Sequence, residues 1–167
     1  MAQTWHDNTG LFQKFGIDQT TPMAGGEYKT YGEFREIEVQ LTLTSLTTTP
    51  TVITGADNIF FPAGVEIEQV EVVVETAGTS GGSATLDIGL IRTDRTTEID
   101  YQAFVKAAAV ATLTDGQKLT ITKGGTAAGD LVGSGSPTAN VGHITANYTT
   151  AAFTAGVIKL RIKYRKA

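Results

Sequence analysis

The stretch Ile158-Lys159-Leu160-Arg161-Ile162-Lys163-Tyr164-Arg165 decides the reading of this chain. Ile158, Leu160, Ile162 and Tyr164 alternate with Lys159, Arg161, Lys163 and Arg165, which makes a strand with one apolar and one cationic face. It runs almost to Ala167, so it is expected to complete a sheet. Five of the 13 basic residues fall between Lys159 and Lys166, although the net charge is −4. Two readings fit this cationic face. It is the solvated face of an edge strand, where Lys discourages sheet-to-sheet aggregation, or it is a patch for an acidic protein partner. Nucleic acid is the weakest reading, because no aromatic is interleaved among the cations.

The same alternation recurs upstream. In Glu36–Leu43, Ile37, Val39, Leu41 and Leu43 face one way, and Glu36, Glu38, Gln40 and Thr42 face the other. Val52–Phe61 reads as a short strand closed by a turn at Pro62-Ala63-Gly64. Val65–Glu75 alternates with a slip of phase: Val65 and Ile67 share one register, Val70, Val72 and Val74 another. A bulge or corner at Glu68-Gln69 is expected there, and such a bend lets a strand cross between sheets. Thr76–Ser83 reads as a loop and Ala84–Ile91 as a strand. Asp100–Leu113, with Ala107-Ala108-Ala109 and Asp100 as a cap, is the one helix candidate, expected as a short helix or a loop. Leu119–Thr122, Val141–Tyr148 and Gly156–Arg165 complete about eight strands, and Lys123–Thr138 reads as a long flexible loop. The expectation is an all-β, two-sheet antiparallel β-sandwich, jelly-roll-like, over residues 36–167.

Residues 1–35 differ in texture. Trp5, Phe12, Phe15, Tyr28, Tyr31 and Phe34 stand among glycines with no helical or strand period, which reads as an extended N-terminal arm packing its aromatics on its own domain or on a neighbouring subunit. Composition agrees with a β domain: 28 threonines and 19 glycines, with only 18% charged residues against a usual value of about 25%. The absence of cysteine removes disulfides, thiolate metal sites and thiol nucleophiles. Met1–Trp5 lacks the basic start and apolar run of a signal peptide. No stretch approaches the roughly 20 apolar residues of a membrane helix. The chain is therefore expected to stay in the cytoplasm unless a larger assembly carries it out, with no membrane partner and with Asn147-Tyr148-Thr149 a chance glycosylation pattern.

No catalytic, cofactor-binding or metal residues are expected. His6 and His143 have no Gly-x-Ser-x-Gly elbow to serve. Asp94, Glu98 and Asp100 could crowd a calcium ion, but they lack the spacing and central glycine of the known loop, and Arg92 and Arg95 interrupt them. Glu36/Glu38 and Glu66/Glu68/Glu71 lie on polar strand faces, where solvated or interfacial roles are expected rather than glycosidase chemistry. Gly78–Gly82 and Gly124-Gly125 are not followed by the Lys-Ser/Thr of a phosphate loop.

Phe61–Val70, followed by Ala84–Leu90, Arg92-Thr93-Asp94 and Glu98-Ile99-Asp100, resembles the jelly-roll-type head decoration (cement) proteins of tailed bacteriophages, and Asn8–Phe12 has the same flavour. The resemblance covers roughly residues 8–105. It implies a virion structural protein, not an enzyme, that binds the exterior of the capsid through the major capsid protein and clamps neighbouring subunits as a homotrimer. It implies no cofactor and no nucleic acid partner. On that expectation Trp5, Phe12 and Phe15 anchor the arm, and Lys159, Arg161 and Lys163 meet an acidic partner surface. Two other functions compete. A tail or fibre module would show heptads or a repetitive shaft, and none appears. A carbohydrate-binding module would show a Trp/Tyr platform on a sheet face, whereas the one Trp lies in the arm.

Overall fold

Branched apolar residues at every second position form strands because the side chains then line one face of a pleated ribbon. The computed structural model describes residues 34–53 and 59–167, together with the backbone of two short strands nearer the N-terminus. The chain divides into two units, Met1–Arg35 and Glu36–Ala167. In the first, β1 (Thr4–His6) and β2 (Phe12–Lys14) pair antiparallel, with Trp5 opposite Gln13 and His6 opposite Phe12. Phe15, Tyr28 and Tyr31 lie outside the described residues.

Among the described residues of the second unit, the regular structure is all β apart from one-turn 3-10 helices at Leu43–Ser45 and Val110–Thr112. Its strands are β3 (Phe34–Thr42), β4 (Thr51–Val52), β5 (Phe60–Phe61), β6 (Val65–Ser80), β7 (Thr85–Arg92), β8 (Glu98–Ala109), β9 (Lys118–Ile121), β10 (Gly142–Thr149) and β11 (Phe153–Lys166). One sheet has the order β3-β11-β6-β9; the other runs β4-β10-β7-β8, with β5 also on β10. With β4 and β5 sharing a position, first pairs with last, second with seventh, third with sixth and fourth with fifth. A ribbon paired in that way and rolled once brings β11 against β6 and β10 against β7, which is the wiring of a jelly roll.

The core fills the space between the sheets. Val39 and Leu41 of β3, Val70, Val72 and Val74 of β6, and Ile158, Leu160 and Ile162 of β11 meet Leu86, Ile88 and Leu90 of β7 and Ile144 of β10. Each such side chain contributes about 1.5–3 kcal/mol by leaving water. Phe61, Phe104 and Tyr164 form an aromatic cluster, with the Phe61 ring centroid 5.1 Å from each of the other two.

Several segments depart from the sequence reading. Val52–Phe61 is two short strands, β4 and β5, rather than one. The phase slip in β6 is a bulge: Gln69 faces Lys163 and Ile67 faces Tyr164, so Glu68 is the extra residue. The bulge lets both apolar registers face the core, and β6 stays in one sheet with β11 instead of crossing over. Thr76–Ser80, expected as loop, continues β6, because Thr76, Thr79 and Ser80 still pair with Val157, Ala155 and Phe153 of β11, through successive shifts of register. Lys123–Thr138 is pinned to the sandwich: Val132 is buried, the Gly133 amide donates to the Ile67 carbonyl at 2.7 Å, and the Thr138 amide donates to Val65 at 2.8 Å.

The largest departure is Asp100–Leu113. It is strand β8 followed by the Val110–Thr112 turn, so the alanine run yielded to tertiary pairing. Ala108 and Val105 pair with Leu86 and Ile88, while Ala107 takes φ 50° and donates its amide to the Asp87 carboxylate at 2.8 Å. Between Val105 and Asp100, five steps of β8 span two of β7, so three extra residues bulge out opposite Gly89.

Candidate interaction surface

The sandwich presents two outer sheet faces of different chemistry. On the β3-β11-β6-β9 sheet, acidic and basic strands alternate. Glu36 and Glu38 stand on β3, the cations on β11, Glu66, Glu68, Glu71 and Glu75 on β6, and Lys118 on β9. Arg161 Nε lies 2.7 Å from Glu38, Lys159 Nζ 2.7 Å from Glu75 and Lys118 Nζ 2.7 Å from Glu71. Arg165 bridges Glu66 at 2.7 Å and Glu68 at 2.8 Å. The Lys159 ammonium, then the Gln40 amide, hold the Glu75 carboxyl below its usual range. Glu75 raises Lys159, and Glu38 raises Arg161. The cationic face is thus one column of an ion-pair ladder in an internal strand. β11 lies between β3 and β6, so the edge-strand reading of that face gives way.

The carboxylates weighed for calcium bind their own backbone instead. Asp94 accepts from the Thr96 and Thr97 amides at 2.8 Å and from the Thr97 hydroxyl at 2.6 Å, and these bonds hold it well below the usual carboxylate range. Asp100 accepts from the Gln102 amide at 2.8 Å, and burial pushes its carboxyl up. Among the described residues no three His, Cys, Asp or Glu side chains converge as a cation site. The signs predict an acid limb. Asp94 and Glu75 contribute stability that is complete above their ordinary values of 3.8 and 4.5 and is lost as pH falls through their lower folded values. Asp100 works in the opposite sense, its penalty easing on protonation. Melting temperature is expected to fall below about pH 4, and Asp94→Asn to flatten that limb. An unchanged limb in the variant would remove Asp94 from the account.

The other outer face, on β4/β5-β10-β7-β8, has no such ladder. Along β10, Ile144 and Ala146 point into the core, and His143, Thr145 and Asn147 point outward, yet all three are buried. His143 Nδ1, Thr145 Oγ1 and Asn147 Oδ1 have no hydrogen-bond partner, each at a cost of about 1–3 kcal/mol. The register sets them opposite Ile91, Gly89 and Asp87. Asp87 is satisfied, accepting from Gln102 Nε2 and the Ala107 amide, both at 2.8 Å. Phe60 of β5 covers His143, with ring centroids 4.7 Å apart, and stays 52% exposed, while Val141 just before β10 is 42% exposed.

Of the residues singled out in sequence, Lys159 and Arg161 sit in the ladder and Lys163 lies opposite Gln69 on the same face. Trp5 and Phe12 belong to β1 and β2, and Phe15 is outside the described residues. Phe60, Val141 and the buried polar row were missed. The Phe60-Phe61 doublet was the available signal, since adjacent strand residues cannot both face the core.

No family model matches the chain, and no curated protein sequence matches it. Solved structures do. A chain of the capsid of Ralstonia phage GP4 is 16% identical over 91% of this chain and 93% of its own length, with a TM-score of 0.50. The likeness is one of fold. Chains from the acidic stable capsid of Helicobacter pylori bacteriophage KHP30 (12% identity, 80% of this chain and 88% of that one) and from the cyanophage Pam1 capsid asymmetric unit (16%, 80% and 84%) each superpose with a TM-score of 0.49.

Proposed function

We propose that this chain is a structural protein of a phage virion that binds the outside of the capsid and cements neighbouring capsid subunits, as a homotrimer whose N-terminal region, including Trp5, Phe12 and Phe15, helps to anchor it. The observation that supports this most is the end-to-end likeness of fold to a chain of a phage capsid, covering 91% of this chain and 93% of that one. The sandwich chemistry agrees. A decoration protein needs a solvent-resistant outer surface and a small contact repeated by symmetry, so that weak individual contacts add up to avidity. The ion-pair ladder, which includes Lys159 and Arg161, is a surface of the first kind. A sugar-binding sandwich would instead carry an aromatic platform. The described outer faces carry ion pairs on one sheet, and Phe60, Val141 and a buried polar row on the other.

Light scattering on the purified chain is expected to give about three times its 17.6 kDa mass, and the protein is expected to cosediment with emptied, expanded heads that lack it. A monomer that stays in the supernatant would end the proposal. Deleting residues 1–20 is expected to leave the melting transition of the sandwich in place and to abolish cosedimentation. Undiminished binding by the truncated chain would remove the N-terminal region from the anchor.

A further inference from the structure

We infer that the domain docks through the outer face of the β5–β10 edge, centred on Phe60 and Val141, and turns the ion-pair ladder of the opposite sheet to solvent. The inference rests on the capsid-binding reading and adds which face makes the contact and what chemistry it meets. Three large apolar side chains are exposed among the described residues, namely Phe34, Phe60 and Val141. Two of the three stand together. His143 pairs with Phe60 and Gly142 with Phe61, which puts Val141 beside β5, and the two-residue period gives Val141 the same outward side as His143. Beneath the Phe60 ring lies His143, 3% exposed, with Nδ1 lacking a hydrogen-bond partner. A half-exposed aromatic over a buried, unpartnered polar atom is the composition of an interface centre, where aromatics are enriched and formal charges depleted. The ladder face has the opposite composition. Its cations and carboxylates are bonded to one another, and docking there would strip water from every pair.

The occupant that fits is a protein surface of the capsid lattice, uncharged at its centre, with an apolar recess for the Phe60 ring and the Val141 side chain. Size argues against a second copy of this chain. A stable interface takes about 800 Å² from each partner, and a fully buried aromatic supplies only about 150–250 Å². Two half-exposed side chains fall well short of holding a free oligomer. They suffice for a contact that one homotrimer makes three times over, so that the linked contacts add to avidity.

The test uses the full chain and expanded heads that lack it. The double variant Phe60→Ser/Val141→Ser is expected to keep its melting transition and oligomeric state and to bind heads about tenfold or more weakly. Lys159→Gln/Arg161→Gln is expected to bind as the wild type does. Should the double variant not fold, Val141→Ser alone reads the same surface. Wild-type binding by the Phe60/Val141 variant would overturn the inference, as would lost binding by the ladder variant. Loss of self-association by the Phe60/Val141 variant would reassign the face to contacts between copies and overturn the capsid as occupant. Failure of the wild type itself to bind heads would strike the functional reading, and the capsid as occupant with it, before any variant is compared.

Discussion

Replacing Phe61 with alanine is expected to cost about 3–5 kcal/mol of folding stability, a large share of the roughly 5–15 kcal/mol a domain possesses. The ring is fully buried, edge-on to Phe104 at an interplanar angle of 70° and tilted 58° against Tyr164. Those partners come from different sheets, Phe104 from β8 and Tyr164 from β11, so one side chain ties both layers together at the edge. β5 is only two residues long, and its pairing with Gly142 and His143 cannot fix it without the ring. Truncation removes transfer energy, leaves a cavity and forfeits two aromatic contacts, each worth about 0.5–1.5 kcal/mol beyond burial. Denaturant unfolding measures the loss, and a drop below about 1 kcal/mol would show that the ring does not bridge the sheets. Phe61→Leu, which keeps most of the volume, is expected to cost less than about 2 kcal/mol.

Gly89→Ala carries the second largest expectation, because what it meets is backbone. A methyl group on Gly89 would overlap the Asp100 carbonyl oxygen and the backbone of Tyr101, where β8 bulges across β7. A side chain could rotate away; this segment cannot, because Asp87 fixes it through Gln102 and the Ala107 amide. Overpacking in such a site costs about 1–3 kcal/mol and sometimes more. Gly64 is the contrast. It has φ +70° and nothing within 4 Å of a Cβ, so its alanine variant meets no clash and bears only the left-handed backbone cost, about 1–2 kcal/mol. If Gly89→Ala proves no more harmful than Gly64→Ala, the bulge is looser than its hydrogen bonds imply. Gly129 abuts the same bulge at Ala103 and Phe104, so Gly89→Ala and Gly129→Ala are expected to be non-additive.

Strand periodicity was legible wherever one face is buried and the other is wet. Ile158 to Tyr164 showed β11, and the slip between Ile67 and Val70 showed the bulge at Glu68. Periodicity says nothing of neighbours, so the glutamates that flank Lys159 and Arg161 could not be matched to them until the rolled wiring placed β3 and β6 on either side of β11. β8 was misread because alanine favours a helix locally, while the bonds that make Ala107–Ala109 a strand come from β7 and Asp87. The polar row on β10 showed its alternation but not its burial. What covers His143 is a residue more than eighty positions earlier in the chain, and no local pattern carries that.

The pairing of the first sandwich strand with the last has a kinetic consequence. β3 cannot gain its neighbour until β11 has been synthesised and has left the ribosome, more than a hundred residues later. At about 5–20 residues per second that interval lasts on the order of ten seconds. Through it β3 and β6 stand without the strand that lies between them, and closing such a long loop carries an entropic cost before any contact rewards it. Folding is therefore expected to be a late and slow step, completed after synthesis. Charges along the outer faces of β3, β6 and β11 keep those waiting ribbons from pairing with their counterparts on other nascent chains. The ladder that neutralises itself in the finished sheet is, before the sheet closes, a set of like-charged strands that repel their own copies.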